Sequence, residues 1–336
     1  MGVTSAPGPA TRPVLLLHDG PHGVAVYERE VAAAVTRSAD VSTAPFAAAA
    51  TLPAGAPVHA HFTDRLWGAS PEEAAAAFAE LAARHPVSVT LHDVPQTSDG
   101  VRNRPRRAAA YRAVARAASG VVVNSHHERL LLAEEGVWDG ATAVIPLPVD
   151  LRTDAAARPP ADGAAAAEVG VLGYFYPGKG HDEALTAARE AGLAALVVLG
   201  RASDGHADDL AAFVARGRDA GVAVSVTGWL DDAAMAERCR SVGVPVIAHR
   251  HVSASGSLAS WIGYGRRPIA VANRYVEEMA ALRPGTLAVV EEAGLSAAVR
   301  DAAFDPSSTW HGRTDVPGGL ADIAAAYVRW WDEGMP

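Results

Sequence analysis

Of the 29 basic lysine and arginine residues in this sequence, one is a lysine, Lys179. Where arginine is the habitual cation, a position that takes lysine calls for a compact ammonium rather than a wide planar fork. Lys179 lies in Gly173-Tyr174-Phe175-Tyr176-Pro177-Gly178-Lys179-Gly180, after a short apolar run and before a helical pattern starting near His181. At such a strand-to-helix turn an ammonium and nearby backbone N–H groups can share the charge of a diphosphate. This is not a P-loop, because the GxxxxGK[ST] spacing and the hydroxyl after the lysine are missing.

A second constellation is Ser253-Ala254-Ser255-Gly256-Ser257, which opens the amphipathic segment Leu258 to Tyr264. One serine there reads as a helix N-cap, and a phosphate-binding cradle would give the other two a role. Histidines form the third group. His59-x-His61 and His249-x-His251 have a spacing that can chelate a metal, and strand alternation puts both members of each pair on one face. The alternative is a set of polar histidines partly buried near a ligand site. His92-Asp93 ends an apolar run, where a histidine can hydrogen-bond a sugar hydroxyl or move a proton. Arg102, Arg104, Arg106 and Arg107 follow in what reads as a loop that could attract an anionic acceptor, or as solvated charges. Gly20-Pro21-His22-Gly23 permits close backbone approach to an anion, or serves as a tight turn; it does not fit the GxGxxG fingerprint.

These groups need elements to hold them. Val14 to Leu17, Val58 to His61, Val87 to Leu91, Gly120 to Asn124 and Ala143 to Pro146 read as short buried strands. Helical patterns such as Val24 to Val35, Pro71 to Arg84 and Arg106 to Ala118 separate them, which predicts a parallel α/β sheet. The rhythm breaks after Asp150. Residues 151–167, rich in Ala, Pro and Asp, read as an interdomain connection, and 1–12 as a disordered leader. A second series follows: Val169 to Gly173, Ala195 to Gly200, Val222 to Gly228, Pro245 to Ala248, Pro268 to Ala272 and Thr286 to Val290. The expected organisation is therefore two Rossmann-like parallel-sheet domains, 13–150 and 168–315, with 316–336 as a helix packed on a domain surface. Parallel sheets collect anionic ligands at strand ends and helix N-termini, so function is expected there.

Composition narrows the class. The 336 residues carry a net charge of −9 without long single-sign runs, which argues against nonspecific nucleic-acid binding. Cys239 is the only cysteine, so no internal disulfide or CxxC motif is possible, and a cytoplasmic location is expected. No run of about 20 apolar residues is present, and no transmembrane segment is expected.

Taken in order, these pieces resemble the retaining glycosyltransferases of the GT-B fold, particularly the large family 4 that uses nucleotide-diphosphate sugars. The resemblance runs over nearly the whole chain. It is carried by the Gly-x-His-Gly type loop at Gly20 to Gly23, Val89-Thr90-Leu91-His92-Asp93, Gly120 to Ser125, Val144-Ile145-Pro146, and Gly173 with Lys179-Gly180 at the family's diphosphate-binding region. It implies two domains facing a cleft, with a nucleotide sugar as donor substrate and no cofactor; the sequence has no Asp-x-Asp pair to hold a metal on a nucleotide diphosphate, so metal-independent chemistry is expected. The donor would be held by Gly173, Lys179, Gly180, Ser253, Ser255, Gly256 and Ser257. Gly20, His22, Gly23, His61, Asp93, His249 and His251 would line the acceptor side or cleft, with His92 and Lys179 catalytic. The sequence departs from the family at Tyr174, where an arginine is usual, and at Val252 and Ser260, where a glutamate pair would fall. Those departures motivate an alternative, a noncatalytic GT-B-fold protein that binds a nucleotide sugar or partners an active transferase. A metallohydrolase using the histidine pairs is a second alternative.

Overall fold

The computed structural model describes residues 12–152 and 168–334. Residues 1–11 and 153–167, which hold nearly all of the expected leader and linker, lie outside the described residues. Arg12 is described, and its guanidinium makes a two-bond pair with Asp332 at 2.8 and 2.9 Å. The chain divides into two compact units: one runs to Pro148 and resumes at Gly318, and the other spans Val149–Pro317.

The first unit contains β1 (Val14–Leu17), α1 (Gly23–Ser38), β2 (Thr43–Pro45), β3 (Val58–Phe62), α2 (Asp64–Trp67), α3 (Pro71–Ala82), β4 (Val87–Leu91), α4 (Gly100–Ala117), β5 (Gly120–Val123), α5 (His126–Glu134), β6 (Ala143–Val144) and the C-terminal α12 (Leu320–Asp332). Its strands form one parallel sheet in the order β2-β1-β3-β4-β5-β6. Strands β3 and β4 are buried along their whole length because helices cover both faces. In this sheet Val58, Ala60, Phe62, Val87, Val89 and Leu91 belong to one core cluster. On the other face Leu15 and Val122 pack with Tyr27 and Val31 of α1 and with Tyr327, Trp330 and Trp331 of α12. Helix starts follow local chemistry: Ser70 caps α3 ahead of Pro71 and two glutamates, and Ser125 caps α5.

Two elements differ from the sequence expectation. Strand β2 is a three-residue edge strand ending in Pro45, too short to show a period. The arginine-rich segment is not a loop, because α4 already starts at Gly100 and carries Arg102, Arg104, Arg106 and Arg107. Pro105 suggests a helix break, yet it sits near the amino end of α4 and removes a single intrahelical bond there.

The second unit contains β7 (Glu168–Leu172), α6 (His181–Ala191), β8 (Ala195–Leu199), α7 (Ala207–Asp219), β9 (Ala223–Val226), α8 (Asp232–Ser241), β10 (Val244–Ile247), α9 (Gly256–Gly263), β11 (Ile269–Val271), α10 (Arg274–Leu282), β12 (Ala288–Val290) and α11 (Leu295–Phe304). The order β12-β11-β10-β7-β8-β9 is again all parallel. The chain builds outward from β7 to β9, then crosses to begin again at β10 on the other side of β7. Between β7 and β10 lies the topological switch point, where the loops diverge and leave room for a ligand.

The core of this unit also holds a fully buried guanidinium, that of Arg266. It caps the carboxyl end of α8 by donating to the carbonyls of Cys239 (2.7 Å), Val242 (2.6 Å) and Gly243 (2.9 Å), and to Thr309 Oγ1 (2.9 Å). Carbonyls left over at a helix end carry partial negative charge, so the cation offsets them without a carboxylate.

Candidate anion-binding site

Lys179 and the serine cluster are 78 residues apart in sequence but follow adjacent strands, β7 and β10. The ammonium Nζ donates to Ser257 Oγ at 3.3 Å, and Ser257 Oγ lies 3.1 Å from Ser255 Oγ. Ser255 is the N-cap of α9: its Oγ accepts from Leu258 N at 3.2 Å, and its own N–H donates to Tyr275 Oη at 3.0 Å. Gly256 and Ser257 are then the first two residues of α9, whose N–H groups precede the intrahelical bonds and point out of the helix start. Ser253 is buried in the loop ahead of them. The switch point of the second sheet thus carries an ammonium, three hydroxyls and a helix N-terminus.

Among the described residues no carboxylate pairs with Lys179; its ammonium meets Ser257 Oγ and lies 5.7 Å from the centre of the Tyr176 ring, and burial draws its pKa down to about 8. Two more neutral groups face it. His181 and His249 are buried, and desolvation followed by the nearby Lys179 charge holds both below the ordinary imidazole range, His181 at about 3. His251, two residues on, is exposed, and Arg250 between them pairs with Glu183. A cation kept partly desolvated with no anion beside it is arranged for an anion that arrives from outside.

Backbone geometry requires glycine at two positions here. Gly180 has φ +96°, and a Cβ on it would stand 2.5 Å from the backbone carbonyl of Ala248, so the Lys179 loop presses directly on the end of β10. Gly200, at the end of β8, presses as closely on the carbonyl of Gly173. By contrast the space in front of Gly256 is open. Three residues around this site carry no local sequence signal: Gly200, Tyr275 through its hydroxyl, and Arg201, whose guanidinium stacks 5.0 Å over the Tyr174 ring. A residue's role as neighbour across a sheet is set by strand order, which no local motif announces.

The histidines of the first unit form a different arrangement. His59 and His61 share one face of β3, opposite Ser88 and Thr90 of β4. His59 bonds Ser88 Oγ (2.9 Å) and Thr90 Oγ1 (3.1 Å), and Thr90 in turn meets Tyr327 Oη of α12 at 2.8 Å. Burial holds His59 neutral, with a pKa of about 3. Nδ1 of His61 lies 2.9 Å from Nε2 of His92, so one ring donates to the other and Nε2 of His92 is already taken. Desolvation keeps His92 neutral as well, at about 4. Among the described residues no three His, Cys, Asp or Glu side chains converge as a metal ion would need.

Around this pair, Gly20 (φ +95°) and Gly23 stand in open space at the start of α1. His22 caps that helix by accepting from Val24 N at 3.2 Å. Arg29 pins the loop through the carbonyls of His18 and Gly20. Asp93 is the one non-glycine residue with positive φ (+51°) among the described residues; its carboxylate accepts from Thr63 Oγ1 at 3.1 Å. The arginines are committed elsewhere: Arg104 to Glu135, Arg106 to Glu72, and Arg107 to Asp64 and Asp99. That corrects the expectation of a free anion-attracting cluster for these three. Arg102 is exposed on the same helix.

No protein-family model matches the chain, and no curated protein matches it in sequence. Solved structures do match in fold. HepE from Anabaena in complex with UDP and glucose has a TM-score of 0.65 at 15% identity, over 96% of this chain and 98% of that one. A sucrose-phosphate synthase from Thermosynechococcus elongatus has a TM-score of 0.66 at 16% identity, over 97% of both chains. An Escherichia coli trehalose-6-phosphate protein bound with UDP-2-fluoro glucose has 0.59 at 12%, over 91% of this chain and 76% of that one. The fold is the two-sheet α/β architecture of GT-B glycosyltransferases.

Proposed function

We propose that this protein is a glycosyltransferase that moves a sugar from a nucleotide-diphosphate donor to an acceptor hydroxyl, with retention and without a metal. The observation that carries this reading is the unpaired Lys179 ammonium set against the serine-lined start of α9 at the switch point of the second sheet. Solved structures of the same fold that contain UDP, glucose or a UDP-sugar analogue support the donor class. Lys179 Nζ and the N–H groups of Gly256 and Ser257 would take up the charge that develops on the departing diphosphate, which is the term that most lowers such a barrier. Gly173 and Gly180 let the backbone come close enough for this. The first domain presents the acceptor, with Gly20, His22, Gly23 and Asp93 at its open edge. His61 and His92 act as a neutral pair: His61 holds the His92 ring through Nε2, and the Asn124 side chain also bears on that ring.

A second reading is favoured by two residues, Val252 and Ser260, which leave the β10–α9 segment without a carboxylate for sugar hydroxyls. In that reading the protein binds a nucleotide sugar and does not turn it over. The two are separated by assaying release of free nucleotide diphosphate from a panel of nucleotide sugars with small acceptors, alongside calorimetric binding of the same donors. Turnover supports the transferase, binding without turnover the second reading, and absence of any nucleotide binding overturns both.

A further inference from the structure

We propose that Ser257 and Lys179 also form a nucleophile–base dyad able to transfer acyl groups from activated carboxylic esters. Ser257 Oγ is placed between two partners, 3.3 Å from the Lys179 amine and 3.1 Å from Ser255 Oγ. The Ser255 hydroxyl accepts from Leu258 N while its backbone N–H donates to Tyr275 Oη, so residue 255 is fixed beside the Ser257 hydroxyl. A serine hydroxyl within hydrogen-bond reach of an amine that can take its proton is the geometric requirement for an activated nucleophile. Both Ser257 and Lys179 are only partly buried, and a Cβ on the adjacent Gly256 would meet nothing within 4 Å, which leaves room beside the dyad for an ester. The N–H groups of Gly256 and Ser257 open the eight-residue α9 ahead of its intrahelical bonds, and would stabilise an oxyanion formed at the helix start.

The step balances without a further reagent. The free-base amine of Lys179 takes the Oγ proton as Oγ bonds to the ester carbonyl carbon, and the carbonyl electron pair moves to oxygen beside the helix N-terminus. Collapse breaks the bond to the alkoxide, which leaves with the proton from the Lys179 ammonium, and acyl-Ser257 remains. Water then attacks that carbonyl while the amine removes its proton. The proton passes to Ser257 Oγ as the carboxylic acid departs. Burial of the amine, with its pKa near 8, leaves free base available in mildly alkaline solution. This inference stands on the dyad and does not need the donor assignment, although both would use the same atoms.

The test treats the intact protein with a fluorophosphonate probe and with 4-nitrophenyl acetate, and locates the adduct by peptide mass spectrometry. The expected result is a single adduct on Ser257 whose formation rises about tenfold per pH unit below pH 8 and levels off above it. Lys179→Met should slow labelling by about 100-fold or more, and Ser257→Ala should abolish it. An adduct elsewhere, no adduct, or an unchanged rate in folded Lys179→Met overturns the dyad. Should either variant fail to fold, the wild-type adduct position and its pH profile decide: Ser257 with a rise through pH 8 supports the dyad, and any other site or a flat profile refutes it. Pyrophosphate titrated separately by calorimetry reports anion binding, so failure of the dyad and failure of the donor site are read independently.

Discussion

Replacing Lys179 with methionine, which keeps the length and removes the charge, should stabilise the empty protein while destroying its affinity for diphosphate. The folded-state pKa is pulled from the ordinary 10.5 to about 8 by burial. At 1.36 kcal/mol per unit, that corresponds to a folding penalty of about 3 kcal/mol as an upper value. Losing the bond to Ser257 takes back about 1 kcal/mol. The net gain of about 2 kcal/mol corresponds to a rise in Tm of about 4–8 °C for a unit of this size. The sign follows from proton counting. Below pH 8 both folded and unfolded chains hold the proton, and the full penalty is present. Between about 8 and 10.5 the unfolded chain holds more protons, so wild-type stability rises with pH and the advantage of the variant fades. On the binding side, a charge-assisted hydrogen bond is worth about 1.5–3 kcal/mol, so the affinity for uridine diphosphate should fall about 10- to 150-fold. Thermal melts at pH 7 and pH 10, with and without uridine diphosphate, measure both effects. A variant that melts several degrees below wild type and keeps nucleotide affinity would mean that the ammonium stabilises the fold and does not hold phosphate.

Other perturbations have equally definite outcomes. Gly180→Ala forces a Cβ against the Ala248 carbonyl at a positive φ, and should cost about 2–5 kcal/mol in urea unfolding together with loss of diphosphate binding. Arg266→Met leaves the carbonyls at the end of α8 and that of Gly243 without donors, and should cost about 4 kcal/mol or more while introducing no new charge. His59, His61, His92, His181 and His249 all have folded pKa values lowered below the ordinary imidazole value. The unfolded chain therefore binds more protons than the folded one from about pH 6.5 downward, and stability should fall as pH drops through that window. His59→Gln should reduce the slope of Tm against pH there by about one proton's share, and an unchanged slope would place the acid sensitivity elsewhere.

Much of the architecture was legible because buried parallel strands such as β4, β7, β8 and β10 read as short Val- and Leu-rich runs, and each run in the second unit became a strand, the more exposed edge strands β9 and β12 included. The lone lysine between two glycines was visible for the same reason, as local sequence at a strand end. That Ser255 and Ser257 would meet it was not local, since it depends on β10 pairing with β7 rather than with β9. Alternation placed His59 and His61 on one face, but whether that face was open or roofed depended on Tyr327, Trp330 and Trp331 of α12, more than 260 residues later. Whether the arginines were free or paired was not legible, because their partners Glu72, Asp64 and Glu135 lie on other elements. Charge alone does not say which cations are free.

The measurement that bears most directly on the anion site is a crystal structure of the protein with uridine diphosphate bound. The distal phosphate is expected at the start of α9, within hydrogen-bond distance of Lys179 Nζ and of the N–H groups of Gly256 and Ser257. Nucleotide density elsewhere, or an ammonium still bonded to Ser257 and directed away from phosphate, would rule out anion binding there.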